Sequence, residues 1–220
     1  LLRGGKFCIP RFPAGGLSEA LVDPAVEVLR ARGADVRFNS RVTAIQFTGG
    51  RVGSIATPAG GIDLGPEDAV VLAVPPWVAT ALLPSLKAPD AFESILNLHY
   101  KLDPDPAGPL GETGFLGVLS GTAQWIFAKK GHVSVTVSAG NEWIDDSAQD
   151  LAEVVWSNVR AALDLPADQE GAMPPFRVVK EKRATFSATA AQERRRPPAR
   201  TEHPNLALAG DWTQAGLPAT

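Results

Sequence analysis

Leu206-Ala-Leu-Ala-Gly-Asp-Trp-Thr213, followed by Gly216-Leu-Pro-Ala-Thr220, holds the clearest structural punctuation in the chain. Four apolar residues form a short strand, Gly210-Asp211 a turn, and Pro218 occupies the first turn of a helix, where its missing N–H costs nothing. Gly210 lets another backbone or a ligand approach closely, and the Asp211 carboxylate can accept hydrogen bonds from sugar-type hydroxyls. A helix starting at Pro218 would direct free N–H groups and a positive dipole end at whatever lies above the strand, favouring phosphate or electron-rich carbonyl groups.

Upstream, Ala69-Val-Val-Leu-Ala-Val74 is a second apolar run, stopped by Pro75-Pro76, and reads as a strand buried on both faces. Ligands in open α/β sheets collect at such carboxyl ends. A short helix over 17–22 precedes one framed by Asp23 as N-cap, Pro24 in the first turn and Gly33 beyond the end. Next come a strand over Asp35–Phe38 and a hairpin of Val42–Thr48 and Arg51–Thr57 around Gly49-Gly50. His132–Ser138 alternates, with Val133, Val135 and Val137 on one face. Ser147 and Asp150 cap a helix carrying Leu151, Val155, Val159 and Leu163, and Phe176–Arg183 is a further strand. The segment 103–114 reads as a loop and 188–204 as the least regular stretch. Short strands alternating with a few helices predict a mixed α/β (α+β) layer fold.

The 220 residues include 21 glycines and 19 prolines, so turns are frequent. A hydrophobic content of 45% with 20% charged residues excludes disorder. A net charge of −3 gives no general attraction to nucleic acid. One cysteine excludes a disulfide framework and a multi-cysteine zinc site. No apolar run reaches membrane-spanning length, so a cytoplasmic protein is the expectation, with peripheral membrane contact left open.

Leu208-Ala-Gly-Asp-Trp-Thr213 with Gly216-Leu-Pro-Ala-Thr220 resembles the C-terminal FAD-binding motif of the flavin amine oxidase and phytoene desaturase superfamily. Pro13-Ala-Gly-Gly-Leu-Ser18, Asn97-Leu-His-Tyr100 and Glu181-Lys-Arg-Ala-Thr-Phe186 further resemble blocks of its squalene-associated FAD-dependent desaturases, the hydroxysqualene dehydroxylases, in the same order. The resemblance implies FAD as cofactor and a Rossmann-like cofactor domain beside a substrate domain with a mixed β-sheet. It implies that Asp211 faces the ribityl or pyrophosphate group, with Gly210 and Trp212 in the same motif, and that Gly216, Leu217, Pro218 and Ala219 approach the flavin ring through backbone amides. Val42 matches a position whose backbone addresses the adenine. The family begins with a Gly-x-Gly-x-x-Gly fingerprint that these residues lack, and it continues beyond the position of Thr220. The expectation is an internal or C-terminal portion of a longer protein: residues 1–74 as part of the FAD domain, 75–200 as the substrate domain and 201–220 as the closing FAD motif, without independent FAD binding.

The implied reaction is reductive removal of the hydroxyl of hydroxysqualene, giving squalene for hopanoid synthesis; phytoene-type desaturation or amine oxidation are the alternatives. A non-catalytic lipid- or protein-binding module is the alternative of another class. Asn97, His99, Glu181 and Arg183 are the pocket candidates, and His99 or Lys182 the candidate proton donors. No histidine stands in a metal-ligand motif, so no metal is expected. Arg194-Arg-Arg196 with Arg200 reads as a solvated basic loop or as a contact to anionic lipid or the FAD phosphates. Trp125, Trp143 and Trp156 read as core or loop anchors. The serines fit no nucleophile elbow.

Overall fold

The computed structural model describes residues 13, 16–102, 114–119, 121–129, 131–165 and 173–216. The chain divides into two units, residues 1–39 and 40–220. In the first, a π-type turn over Ser18–Val22 runs without a break into α1 (Asp23–Ala31). Asp23 is therefore a helical residue and not the expected cap, because Leu17 to Val22 already bring the backbone in at helical angles. Gly33, at φ 82°, closes α1 by donating to Arg30 O, as its position beyond the helix predicted. The expected strand at Asp35–Phe38 is absent: the segment is irregular, Arg37 folds back on Asp35 at 2.6 Å, and no described strand pairs with it.

Among its described residues the second unit holds three sheets. Strands β1 (Ala44–Thr48), β2 (Arg51–Thr57) and β3 (Gly60–Asp63) form an antiparallel meander. Gly49 and Gly50, at φ 58° and 79°, make its first turn, the backbone a two-residue hairpin requires. β4 (Val70–Leu72) pairs in parallel with the last strand, β10 (Leu206–Leu208), after a crossover that starts with α2 (Pro76–Leu82). The expectation that Ala69–Val74 is buried on both faces is corrected here. Only three residues pair, along one edge, and alternation leaves Val71 64% exposed while Leu72 is buried. The strand expected from Val42 begins only at Ala44, and Val42 lies in the coil two residues before it.

The third sheet has five antiparallel strands in the order β6 (Phe115–Gly117), β7 (Trp125–Lys129), β8 (His132–Ser138), β5 (Phe92–Lys101) and β9 (Phe176–Phe186). Among the described strands the pairings are thus mixed, with β4 and β10 the parallel pair. α3 (Ala148–Leu163) covers one face of this sheet. Its N-terminus is capped as the sequence predicts, with Ser147 Oγ accepting from Asp150 N at 3.1 Å. Leu151, Val155 and Val159, one turn apart, meet Leu96 and Leu98 of β5 and Val133 and Val135 of β8, all essentially fully buried. Each such side chain contributes about 1.5–3 kcal/mol. Tyr100, the only tyrosine, lies in this core and donates to Ala152 O at 2.8 Å; burial raises its phenol well above the ordinary value.

A second core joins Val52, Leu72, Ala79, Leu83 and Phe186 to Leu206, Leu208 and Trp212. Asn205 stitches it together: its side chain accepts from Val52 N at 2.9 Å and donates to Val52 O at 3.0 Å, standing in for a paired strand. A four-residue helix, α4 (Ala190–Glu193), is the regular piece of the stretch read as least structured. Among the described residues no helix is long and apolar enough to cross a membrane.

Candidate functional site

The parallel strands β4 and β10 emerge side by side, Ala209 N donating to Leu72 O at 3.1 Å. Pro75 stops one and starts α2; Gly210-Asp211 ends the other. Between these carboxyl ends and the end of β9 lies a cavity of about 460 Å³. Gly210 and Asp211 line it from one side, Pro75 and Trp77 from a second, and Glu181 and Arg183 from a third. Residues far apart in sequence thus converge at the strand ends, where ligands bind in this class of sheet.

The turn after β10 is tightly built. Gly210 has φ 149°, and a Cβ there would meet the Trp212 ring at 2.5 Å. Trp212 is 2% exposed and donates from Nε1 to Val74 O at 3.0 Å, tying the two strand ends together. Its side chain therefore belongs to the core, and only its backbone can serve a cofactor. Thr213 closes the turn, donating from N and Oγ1 to Gly210 O at 3.1 and 2.8 Å. The Asp211 side chain is left exposed at the cavity rim. An open acceptor beside a side-chain-free backbone suits a hydroxyl-bearing cofactor such as the ribityl or ribose part of FAD. Gly216, at φ 74° with open space around it, continues this exposed backbone; Leu217, Pro218 and Ala219 lie outside the described residues.

Glu181 and Arg183, both expected in the pocket, do line the cavity. The Glu181 carboxylate accepts from Arg183 N at 3.1 Å, and the Arg183 guanidinium lies 4.8 Å over the Trp77 ring. Asn97 and His99 do not reach the cavity, but they share with Glu181 the sheet face turned away from α3, through the register Asn97 to Val179 and His99 to Arg177. Thr136 Oγ1 donates to Asn97 Oδ1 at 3.0 Å, and His99 Nδ1 is 2.8 Å from Ser134 Oγ. Burial first, then His132 and Arg177, hold His99 below the ordinary histidine pKa. On the same face Phe115 stacks with Trp125 and Phe127 at centroid distances of 5.9 and 5.8 Å. Trp125 is 45% exposed, so it is no core anchor.

Lys182 stands apart from the Asp211 cavity, 3.6 Å from Asp145 in an exposed ion pair. Val42 also lies away from the cavity. The basic loop is not uniformly solvated: Arg195 pairs with Asp90 at 2.7 Å, and the Arg196 side chain is 4% exposed. Sequence reasoning missed Trp77 as part of the site. Trp77, directly after the strand-stopping Pro75-Pro76, carried a usable signal.

A parallel strand pair with a cavity at its carboxyl ends, beside a five-stranded antiparallel sheet, gives the chain a mixed α/β architecture. It is shared with a solved oxidoreductase from Methanosarcina mazei (TM-score 0.61, 13% identity, 89% of this chain and 49% of that one). A putrescine oxidase double mutant also shares it (TM-score 0.59, 14% identity, 87% and 47%). Residues 2–220 match the family model of flavin containing amine oxidoreductases, and the chain belongs to that family. It is 40% identical over its full length to a hydroxysqualene dehydroxylase of Zymomonas mobilis and 44% identical to one of Rhodopseudomonas palustris. The chain spans about half the length of the curated relatives it matches, 51% in both cases.

Proposed function

We propose that this chain supplies the carboxyl-side FAD wall and the substrate sheet of an oxidoreductase that removes the hydroxyl of hydroxysqualene to give squalene. The observation carrying this reading is the convergence of Gly210 and Asp211 with Glu181 and Arg183 around one cavity, in a chain 40–44% identical throughout to hydroxysqualene dehydroxylases. Gly210, Asp211 and the Trp212 backbone would hold the cofactor, joined by the Gly216–Ala219 backbone. In this reading the elements around the second core would form the FAD side and the five-stranded sheet the substrate side.

Replacing C–OH by C–H takes one hydride and one proton and releases water; a reduced flavin held at Gly210 and Asp211 would supply the hydride. The protein must seat a long hydrocarbon, orient one hydroxyl and keep water out. The stacked Phe115, Trp125 and Phe127 offer an apolar flank for the isoprenoid chain, and the Asn97–Thr136 and His99–Ser134 pairs a polar centre for the hydroxyl. Of the two candidate proton donors, His99 shares the face of Glu181, whereas Lys182 is engaged by Asp145. The one tyrosine is locked to Ala152 O in the core, so these residues offer no tyrosine pair for caging an amine. Peripheral membrane contact would give access to such a substrate.

The test incubates the full-length enzyme with FAD, a reductant and hydroxysqualene and looks for squalene by mass spectrometry. Parallel incubations contain phytoene, or simple amines under oxygen. Squalene formation is expected; turnover of amines alone overturns the reading, and turnover of phytoene alone moves it to desaturation.

A further inference from the structure

The three consecutive arginines after α4 have three different fates. Arg194 is exposed, Arg195 is half-exposed against Asp90, and Arg196 is buried. Taking a guanidinium out of water costs several kcal/mol unless its donors are met, so a buried arginine must be read by what meets it. Arg196 Nη1 donates to both carboxylate oxygens of Glu193, at 3.0 and 3.1 Å. Nη2 donates to Asp211 O at 3.1 Å and Thr213 O at 2.5 Å, and the guanidinium carbon lies 5.7 Å from the centre of the Phe186 ring.

The two carbonyls belong to alternate residues of the turn that carries the exposed Asp211 side chain. A trans peptide sets its C=O and following N–H in opposite directions. Fixing Asp211 O on Arg196 therefore turns Trp212 N–H away from the guanidinium. Fixing Thr213 O likewise sets Gln214 N–H, which donates to Pro197 O at 2.8 Å. One side chain thus sets two alternate peptide planes of the turn. Glu193 sets the guanidinium plane and is itself held by α4, whose first turn is capped by Thr189 Oγ1 accepting from Gln192 N at 3.3 Å.

We propose that Arg196, oriented by Glu193, is a positioning residue that holds the Asp211–Thr213 turn in its flavin-binding conformation; this rests on the flavin reading above. A lysine carries the charge and three donors, but its single nitrogen cannot stand at both the Nη1 position facing Glu193 and the Nη2 position facing the two carbonyls. The effect of losing Arg196 should therefore appear in the turn and in the flavin, beyond any general loss of stability.

The experiment uses the full-length protein with Arg196→Lys, Glu193→Gln, Asp211→Ala and, as control, Arg195→Lys, which alters the same loop without touching the turn. Three quantities are read: amide exchange over residues 210–216 in the flavin-free state, the FAD dissociation constant, and the shape of the bound flavin's visible spectrum. For R196K, exchange should rise, FAD binding should weaken about tenfold or more, and the flavin bands should shift; E193Q should follow in the same direction. R195K should leave all three near wild type. If R196K does not fold, E193Q carries the test. Wild-type exchange, affinity and spectrum in the folded variants, together with flavin loss in D211A, overturn the positioning role and leave the flavin reading standing. Affinity losses in R196K and R195K that simply track their melting temperatures, without a spectral shift, also overturn it. A wild-type protein that retains no flavin overturns the flavin reading and this proposal with it.

Discussion

Gly210 and Trp212 exclude any side chain at position 210: a Cβ there would stand 2.5 Å from Trp212 Nε1 and 2.8 Å from Cδ1. The indole cannot yield, because its N–H is bonded to Val74 O and its ring is buried among Leu72, Leu206 and Leu208. Position 210 must therefore be glycine for the β4 and β10 ends to meet, and the Asp211 rim depends on that junction.

Gly210→Ala should destabilise the protein by about 1–3 kcal/mol, the cost of overpacking in a strained backbone region. Thermal unfolding followed with and without added FAD checks this; an unchanged melting temperature would show that the turn relaxes freely.

Asp211→Ala in the full-length enzyme should weaken FAD binding about 5- to 150-fold, corresponding to about 1–3 kcal/mol for a lost acceptor. Asp63→Ala, an exposed carboxylate on β3 outside the cavity, is the control. Equal flavin content in both variants after dialysis would contradict the assignment.

Asn205→Ala should cost about 2–4 kcal/mol, because Val52 N–H and C=O lose their partner in a buried setting. A fall in melting temperature of roughly 5–15 °C is expected. A smaller fall would mean that water replaces the amide.

His99 is held below its ordinary pKa of 6.5, so the unfolded chain binds the proton more readily than the folded one. Its contribution to stability is complete above the folded and unfolded pKa values and is lost as pH falls through the ordinary histidine range. Wild type should lose more melting temperature between about pH 8 and pH 5.5 than His99→Gln does. Parallel curves would show that His99 titrates normally.

Much of this protein is local and could be read directly. The Ser147 cap and the Leu151, Val155, Val159 spacing specify α3 because a helix face repeats every three to four residues. Gly49-Gly50 specifies a hairpin because only that turn fits two adjacent residues at positive φ. The block Leu208–Thr213 resembles a flavin-binding motif, and Glu181–Phe186 a block that supplied substrate-pocket candidates. What pattern could not supply was partnership. Asp35–Phe38 has strand-like residues but no strand beside it, and Ala69–Val74, apolar throughout, pairs along one edge, so Val71 faces solvent.

The amino-acid sequence alone determined the Ser147 cap and the Gly49-Gly50 turn, because these depend on residues within a few positions of one another. The tertiary structure alone decided that Asp211 and Arg183 share a cavity, that Lys182 is drawn off by Asp145, and that Arg196 is buried while Arg194 beside it is solvated. The physical reason is that burial and hydrogen-bond satisfaction are set by groups brought together only by the fold: the Arg196 guanidinium goes inside because the Asp211 and Thr213 carbonyls meet its donors there.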